Sequence, residues 1–429
     1  MSLNGRSKPL YGVPFQKSLL EKSLQVFLDF VSRVAESQRV LKRLGWVSIL
    51  VIVIFPGKTS AGFNIGMFLK AQRTGTPYSK VSGGAYHSCG ITNRGVLKCW
   101  GSNSSGQVGN GSLSGDQTFP VAINSTTAYL SVATGNSHSC GIANSGILRC
   151  WGDNTYGQLG LGSSTPSQSS PVQVNSTSAF IAVSAGGSHT CGITGSGLIQ
   201  CWGNNTSGQL GVGSSTPSQS SPVQINSTST YVAVVAGASH SCGIRSSGPI
   251  ECWGDNTYGQ LGMGSSTPFQ ISPVQVNSTT PYIALAAGSS HSCGITISGS
   301  IECWGRNRTG QLGDGTTTQR NSPVQVSSTT SFISLAAGSA HTCAITGSGS
   351  MVCWGDNSAG QLGDGTTTQR NSPVQVSSTT SFVSLSAGGY HTCGMTSGGS
   401  LLCWGGNSNG QVGNRSTLNQ ITPKVIDLS

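Results

Sequence analysis

The sequence predicts an all-β fold: a ring of seven like units with about four short antiparallel strands in each, the strand content of a propeller blade. Three observations predict it. A phrase reading His87-Ser88-Cys89-Gly90-Ile91 and, past Gly95, Leu97-Lys98-Cys99-Trp100-Gly101 recurs from His138, His189, His240, His291, His341 and His391, at intervals of 50 or 51 residues. It takes up all 14 cysteines, all 7 histidines and seven of the 8 tryptophans. Within each unit, apolar and polar residues alternate over short runs bounded by Gly, Asn, Ser and Pro, the pattern of strands joined by tight turns. Finally, no unit holds an apolar stretch long enough for two helices, which excludes a helical solenoid.

Taken in order, the chain opens with a basic leader, residues 1–61. Residues 1–60 hold nine Lys or Arg against three Asp or Glu, so most of the formal charge of +10 sits there. Phe15, Leu19, Phe27, Phe30, Val31 and Val34 have loosely helical spacing, and residues 1–43 read as a long cytoplasmic leader or as upstream residues that the mature protein lacks. Arg39, Lys42 and Arg43 then precede an apolar run over residues 44–55, ended by Pro56. That run fits the core of a signal peptide and is short for a membrane span. Thr59-Ser60-Ala61 supplies small residues for cleavage near Ala61, with an uncleaved signal anchor as the alternative. Either reading exports the chain beyond residue 61, so the expected location is secreted, periplasmic or at the cell surface. Membrane contact is expected only through an uncleaved anchor. Residues 62–77 read as a linker. The rest of the chain carries thirteen cations against nine carboxylates, too sparse for a nucleic-acid footprint.

Residues 78–429 form the seven units, which start at residues 78, 129, 180, 231, 282, 332 and 382. Each opens with an aromatic residue and a strand closing on Gly, as in Tyr129-Leu130-Ser131-Val132-Ala133-Thr134-Gly135. The His-Cys hairpin comes next, then a Gly/Asn-rich loop, then a Ser/Thr/Pro stretch ending in a short strand such as Pro171-Val172-Gln173-Val174 or Pro423-Lys424-Val425-Ile426. Units that each have their own start and end suggest a closed ring without an exposed edge.

In the first hairpin, Asn93-Arg94-Gly95 makes a three-residue loop whose Gly takes the left-handed position. That register pairs Cys89 with Cys99 and puts Cys89, Ile91, Leu97 and Cys99 on one face. Directly opposed cysteines of a non-hydrogen-bonded pair lie within disulfide reach, and an even count with an export signal points the same way. Seven intra-blade disulfides are expected: Cys89–Cys99, Cys140–Cys150, Cys191–Cys201, Cys242–Cys252, Cys293–Cys303, Cys343–Cys353 and Cys393–Cys403. His87 shares the cysteines' face, but three potential ligands without a close cysteine knuckle do not make a zinc site, so no metal is expected. The histidines are expected to hydrogen-bond backbone at the corner between first and second strands. Trp100, Trp151, Trp202, Trp253, Trp304, Trp354 and Trp404 face the other way and read as inter-blade core.

The string Cys150-Trp151-Gly152-Asp153-Asn154-Thr155-Tyr156-Gly157-Gln158-Leu159-Gly160, preceded by Gly135-x-x-His138, resembles the repeat of the RCC1 (regulator of chromosome condensation) family. Its Gly-x-Asn-x-x-Gly-Gln-Leu-Gly core returns from Gly203, Gly254, Gly305 and Gly355, with Val108 and Val412 replacing Leu in the first and last units. The resemblance covers residues 78–429 and implies a seven-bladed β-propeller. It also implies kinship with a nuclear guanine-nucleotide exchange factor that binds chromatin and relies on a wedge inserted in one blade. Units of 50 or 51 residues leave no room for that wedge. Paired cysteines and an export leader are more similar to the exported RCC1-repeat proteins of bacteria, or to a secreted inhibitor that caps β-lactamase with one propeller face.

No unit combines a nucleophile, a base and a carboxylate, or holds paired carboxylates or a phosphate loop before a helix. Glu251 and Glu302 occupy a hairpin position where other units carry Lys98, Arg149, Gln200, Val352 or Leu402. The expectation is therefore a non-enzyme without cofactor: a monomeric interaction scaffold for a protein or glycan partner. The alternatives are an exchange factor of the RCC1 type and a propeller-type enzyme inhibitor. Binding residues are sought where units differ. Tyr86 and Tyr390 replace small residues just before the histidine, and ring closure makes their units neighbours. Arg306, Arg308, Arg320, Arg370 and Arg415 give the last three units a mildly basic sector, and Tyr and Arg are common interface anchors.

Overall fold

In the computed structural model, which describes residues 78–164 and 166–426, the chain forms a seven-bladed β-propeller. The expected leader 1–61 and linker 62–77 lie outside the described residues. Blade one consists of β1 (Tyr78–Gly83), β2 (His87–Thr92), β3 (Leu97–Gly101) and β4 (Gln117–Ala122), antiparallel and in sequence order. Six more four-stranded sheets repeat it. β1 and its equivalents lie side by side around the axis, and β4 and its equivalents form the outer rim.

The hairpin register is the expected one. Cys89 faces Cys99, Ile91 faces Leu97, and the pairing returns in every blade. Gly95 has φ +80° and donates its N–H to the Thr92 carbonyl, closing the loop. All seven disulfides are present, with Cα atoms 4.0 to 4.1 Å apart, the close approach of a non-hydrogen-bonded antiparallel pair.

Each disulfide face is covered by the next blade. Trp151 packs on Cys89, Cys99, Ile91 and Leu97, while Trp100 packs on Cys393 and Cys403 of blade seven and so closes the ring. The tryptophans are wholly buried, as inter-blade core should be. The aromatic that opens each unit is buried beside its own blade's tryptophan, as in the edge-on pair Tyr78–Trp100 at 6.3 Å. Such pairs add about 1 kcal/mol beyond burial itself.

No strand is shared between blades seven and one, since every blade is built from one continuous unit, and the ring closes by packing and hydrogen bonds between them. The outermost strands therefore keep a free edge, contrary to the edgeless ring expected from the repeat count. Proline protects it. Pro120, Pro171, Pro222, Pro273, Pro323, Pro373 and Pro423 each lie in an outermost strand, where a missing N–H spoils pairing with another chain.

The ring has two ends. At the corner end lie the β1–β2 turns and the long β3–β4 loops. At the hairpin end lie the β2–β3 turns and the links from β4 to the next blade.

Candidate interaction surface

The corner end is held by a circuit of side chains. His87 Nε2 lies 2.8 Å from Ser139 Oγ of blade two, His138 Nε2 lies 2.9 Å from Thr190 Oγ1 of blade three, and the series ends with His391 Nε2 at 2.7 Å from Ser88 Oγ of blade one. Each hydroxyl donates its own proton to a glutamine carbonyl of the preceding blade, as Ser139 does to Gln107. It must therefore accept from the histidine, which fixes the Nε2–H tautomer. The expectation that these histidines bond backbone is thus corrected: they bond the hydroxyl of the neighbouring blade. Burial pushes their pKa down, to about 3 for His87, His189, His291 and His341 and about 4 for His138, His240 and His391. They are neutral structural links and offer nothing to a ligand from solvent.

The Gly/Asn-rich loops are architecture as well. Asn307 Oδ1 accepts from the Leu312 N–H, and its Nδ2 donates to the Thr316 and Thr318 carbonyls. At the axis, three residues per blade, Gly83-Gly84-Ala85 in blade one, line a cavity of about 70 Å³. Blade-to-blade backbone bonds such as Gly389 N–H to the Gly84 carbonyl at 3.0 Å tighten it. Among the described residues, no three His, Cys, Asp or Glu side chains converge as a metal ion would require.

The structure brings Tyr86 and Tyr390 together. Their rings stack at 6.0 Å across the seam between blades one and seven, 43% and 40% exposed. The same seam holds Arg415, whose guanidinium lies 4.5 Å from the centre of the Phe119 ring of blade one. Arg306 lies over Tyr258 at 5.0 Å, and Arg308 beside it is exposed. Arg320 and Arg370 stand apart, because each forks onto a single loop carboxylate oxygen, 2.7 Å from Asp314 and 2.8 Å from Asp364. Burial works against the Asp314 carboxylate, but bonds from Thr316, Arg320 and Asn307 outweigh it and hold its pKa below the usual range. Two of the five arginines of the basic sector are thus paired. Five arginines at this end meet six aspartates, Asp116, Asp153, Asp255, Asp314, Asp356 and Asp364.

The hairpin end differs. The second residue of each innermost strand sits at a bulge, skipped by the pairing with the second strand. In six blades it is a branched aliphatic: Leu130, Ile181, Val232, Ile283, Ile333 and Val383, each 54 to 66% exposed. Blade one has Ser79. On the same half of the blades lie Lys80, Arg94, Lys98, Arg149, Arg245 and Lys424, against only Glu251 and Glu302 among the described residues. The sequence carries this signal in the residue after each opening aromatic, but exposure there is legible only once the bulge is known.

Comparison with known proteins places the chain among relatives. Residues 163–429 match the RCC1-like domain family, and residues 78–107, 95–142 and 130–158 match the regulator of chromosome condensation (RCC1) repeat. The probable E3 ubiquitin-protein ligase HERC6 of Homo sapiens is 32% identical over 59% of this chain and 26% of its own length. The ultraviolet-B receptor UVR8 of Arabidopsis thaliana is 31% identical over 55% of this chain and 54% of its own. The chain thus spans about half or less of the length of these relatives. Prp20p of Saccharomyces cerevisiae, solved in a study of its binding to Gsp1p and histones, shares the fold with a TM-score of 0.67 at 18% identity, over 82% of this chain and 87% of that one.

Proposed function

We propose that this chain, which belongs to the RCC1-like repeat family, is an exported non-enzymatic scaffold that holds a protein partner on the corner end of its ring, at the seam of blades seven and one. One observation carries the reading: the stacked, half-exposed pair Tyr86–Tyr390. The other five blades have Ser137, Ser188, Ser239, Ser290 and Ala340 at that position, so the tyrosines serve no need common to all blades. Two stacked rings present a large, stiff contact area that loses little entropy when covered, the usual make-up of an interface anchor. Arg415 over Phe119 extends the seam outward. Protein binding by Prp20p, a propeller of the same fold, supports a protein as the class of partner. Seven disulfides support export, since thiols in a reducing compartment stay unpaired.

The test is an affinity capture from the native source with the full chain as bait, repeated with Tyr86→Ser and Tyr390→Ser together. Loss of an anchor of this type lowers affinity by about 30-fold, so the specific partner should vanish from the variant's capture. A partner held equally by both baits would remove the seam from the reading. Thiol labelling of the denatured protein without reductant checks export separately: the proposal expects no label, and fourteen reactive thiols would sink it.

A further inference from the structure

We propose that the hairpin end of the ring docks on an anionic lipid bilayer. The six branched aliphatics at the bulges hold equivalent positions in a seven-fold repeat, so they share one plane perpendicular to the ring axis. A flat annulus of exposed aliphatic side chains fits a flat apolar surface under headgroups. More than half of each of these side chains is open to solvent, although no packing in the propeller requires an aliphatic there. Ile297, at a hairpin tip and 70% exposed, extends the same apolar side.

Charge supplies the second argument. Six cations against two glutamates lie on this half, whereas the corner end balances its arginines with aspartates. Arg245 is partly committed to Glu251 at 3.3 Å, but Lys80, Arg94 and Lys424 are exposed. Basic residues flanking exposed aliphatics match anionic headgroups over acyl chains, each cation adding attraction that falls off within a Debye length. At the corner end the charges balance, and the exposed apolar residues Leu113, Phe269 and Leu418 stand at three different positions of the repeat and make no ring, so the proposal concerns one end only. It is independent of the partner seam, which lies at the other end.

Flotation of the full-length protein with phosphatidylcholine vesicles, with and without phosphatidylserine, tests the idea. Binding should rise about tenfold with phosphatidylserine and be suppressed by salt. Ile181→Ser, Ile283→Ser and Ile333→Ser together should lower binding about tenfold, and Lys80→Glu with Lys424→Glu should abolish the preference for phosphatidylserine. Unchanged circular dichroism shows that the variants fold. An N-terminal anchor would float the protein equally on both vesicles whatever the annulus carries, and that result overturns the proposal. So does a concentration-dependent dimer that the serine variant dissolves, which would assign the annulus to a second copy of the chain.

Discussion

The two ends of the ring are made from the same seven repeats and have opposite character. At the corner end each repeated residue is spent on a neighbour: His87 on Ser139, Gly84 on the blade beside it, Arg320 on Asp314. At the hairpin end the repeated Leu130 position is spent on nothing within the propeller and stays exposed. Repetition therefore has two meanings. Where side chains meet across blades, seven copies close a circuit; where they do not, six aliphatic copies make a surface.

Acid should break the comparison most strongly, because it attacks only the circuit. The histidines are neutral in the fold, with pKa about 3 to 4, and return to about 6.5 when unfolded. Between those values the unfolded chain binds more protons, so stability is complete above about pH 6.5 and falls as the pH drops toward 4. At pH 5 each histidine costs about 2 kcal/mol, and seven together about 14 kcal/mol, comparable to the whole stability of a typical domain. Unfolding followed by tryptophan fluorescence from pH 7.5 to 4 should show a steep loss with protons taken up. A protein fully folded at pH 4.5 would mean that the circuit does not clamp the ring.

Next in size is Gly288→Ala at the corner. A Cβ there would lie 2.2 Å from His291 Cε1 and 2.4 Å from the Gly338 carbonyl oxygen of the next blade. Neither neighbour can retreat without opening the ring, so the expected loss is about 3 kcal/mol or more in guanidinium unfolding. Close behind comes the interior between the ends. Cys293→Ala with Cys303→Ala removes a staple of sequence separation 10, worth about 3 kcal/mol in the chain-entropy model. The same unfolding experiment reads it, and a loss below 1 kcal/mol would show that Trp354, packed on that disulfide, holds the blade without it.

Much of the fold is legible in the sequence, for a physical reason. Strand pairing follows from alternation and turn chemistry, so Gly95 sets the register that opposes Cys89 and Cys99. The seam pair Tyr86–Tyr390 is legible because ring closure makes the first and last units neighbours. The histidine circuit is not, because its partner lies 52 residues away and depends on how blades are rotated against each other. Arg320 and Arg370 are missed for a different reason: each partner is only six residues away, but the fold of the long loop, which alternation does not give, decides that Asp314 and Asp364 meet them. Strand register reads from sequence; the fold of a long loop and the group a neighbouring blade presents do not.

The smallest effect isolates that distinction, because it repeats the substitution at the other end. Gly146, in the hairpin loop of blade two, has φ +81°, and a Cβ added there meets nothing within 4 Å. Gly146→Ala is therefore strained by its own backbone only, about 1 kcal/mol. Gly288 is the reverse case: its φ lies outside the left-handed region and only space forbids a side chain. Asparagine separates the two causes, since it tolerates the left-handed conformation but is larger than alanine. Gly146→Asn should recover part of the alanine loss, whereas Gly288→Asn should be worse than Gly288→Ala. If both asparagine variants moved the unfolding midpoint in the same direction relative to their alanine counterparts, the glycines of the two ends would share one cause, and the corner would not be the crowded end.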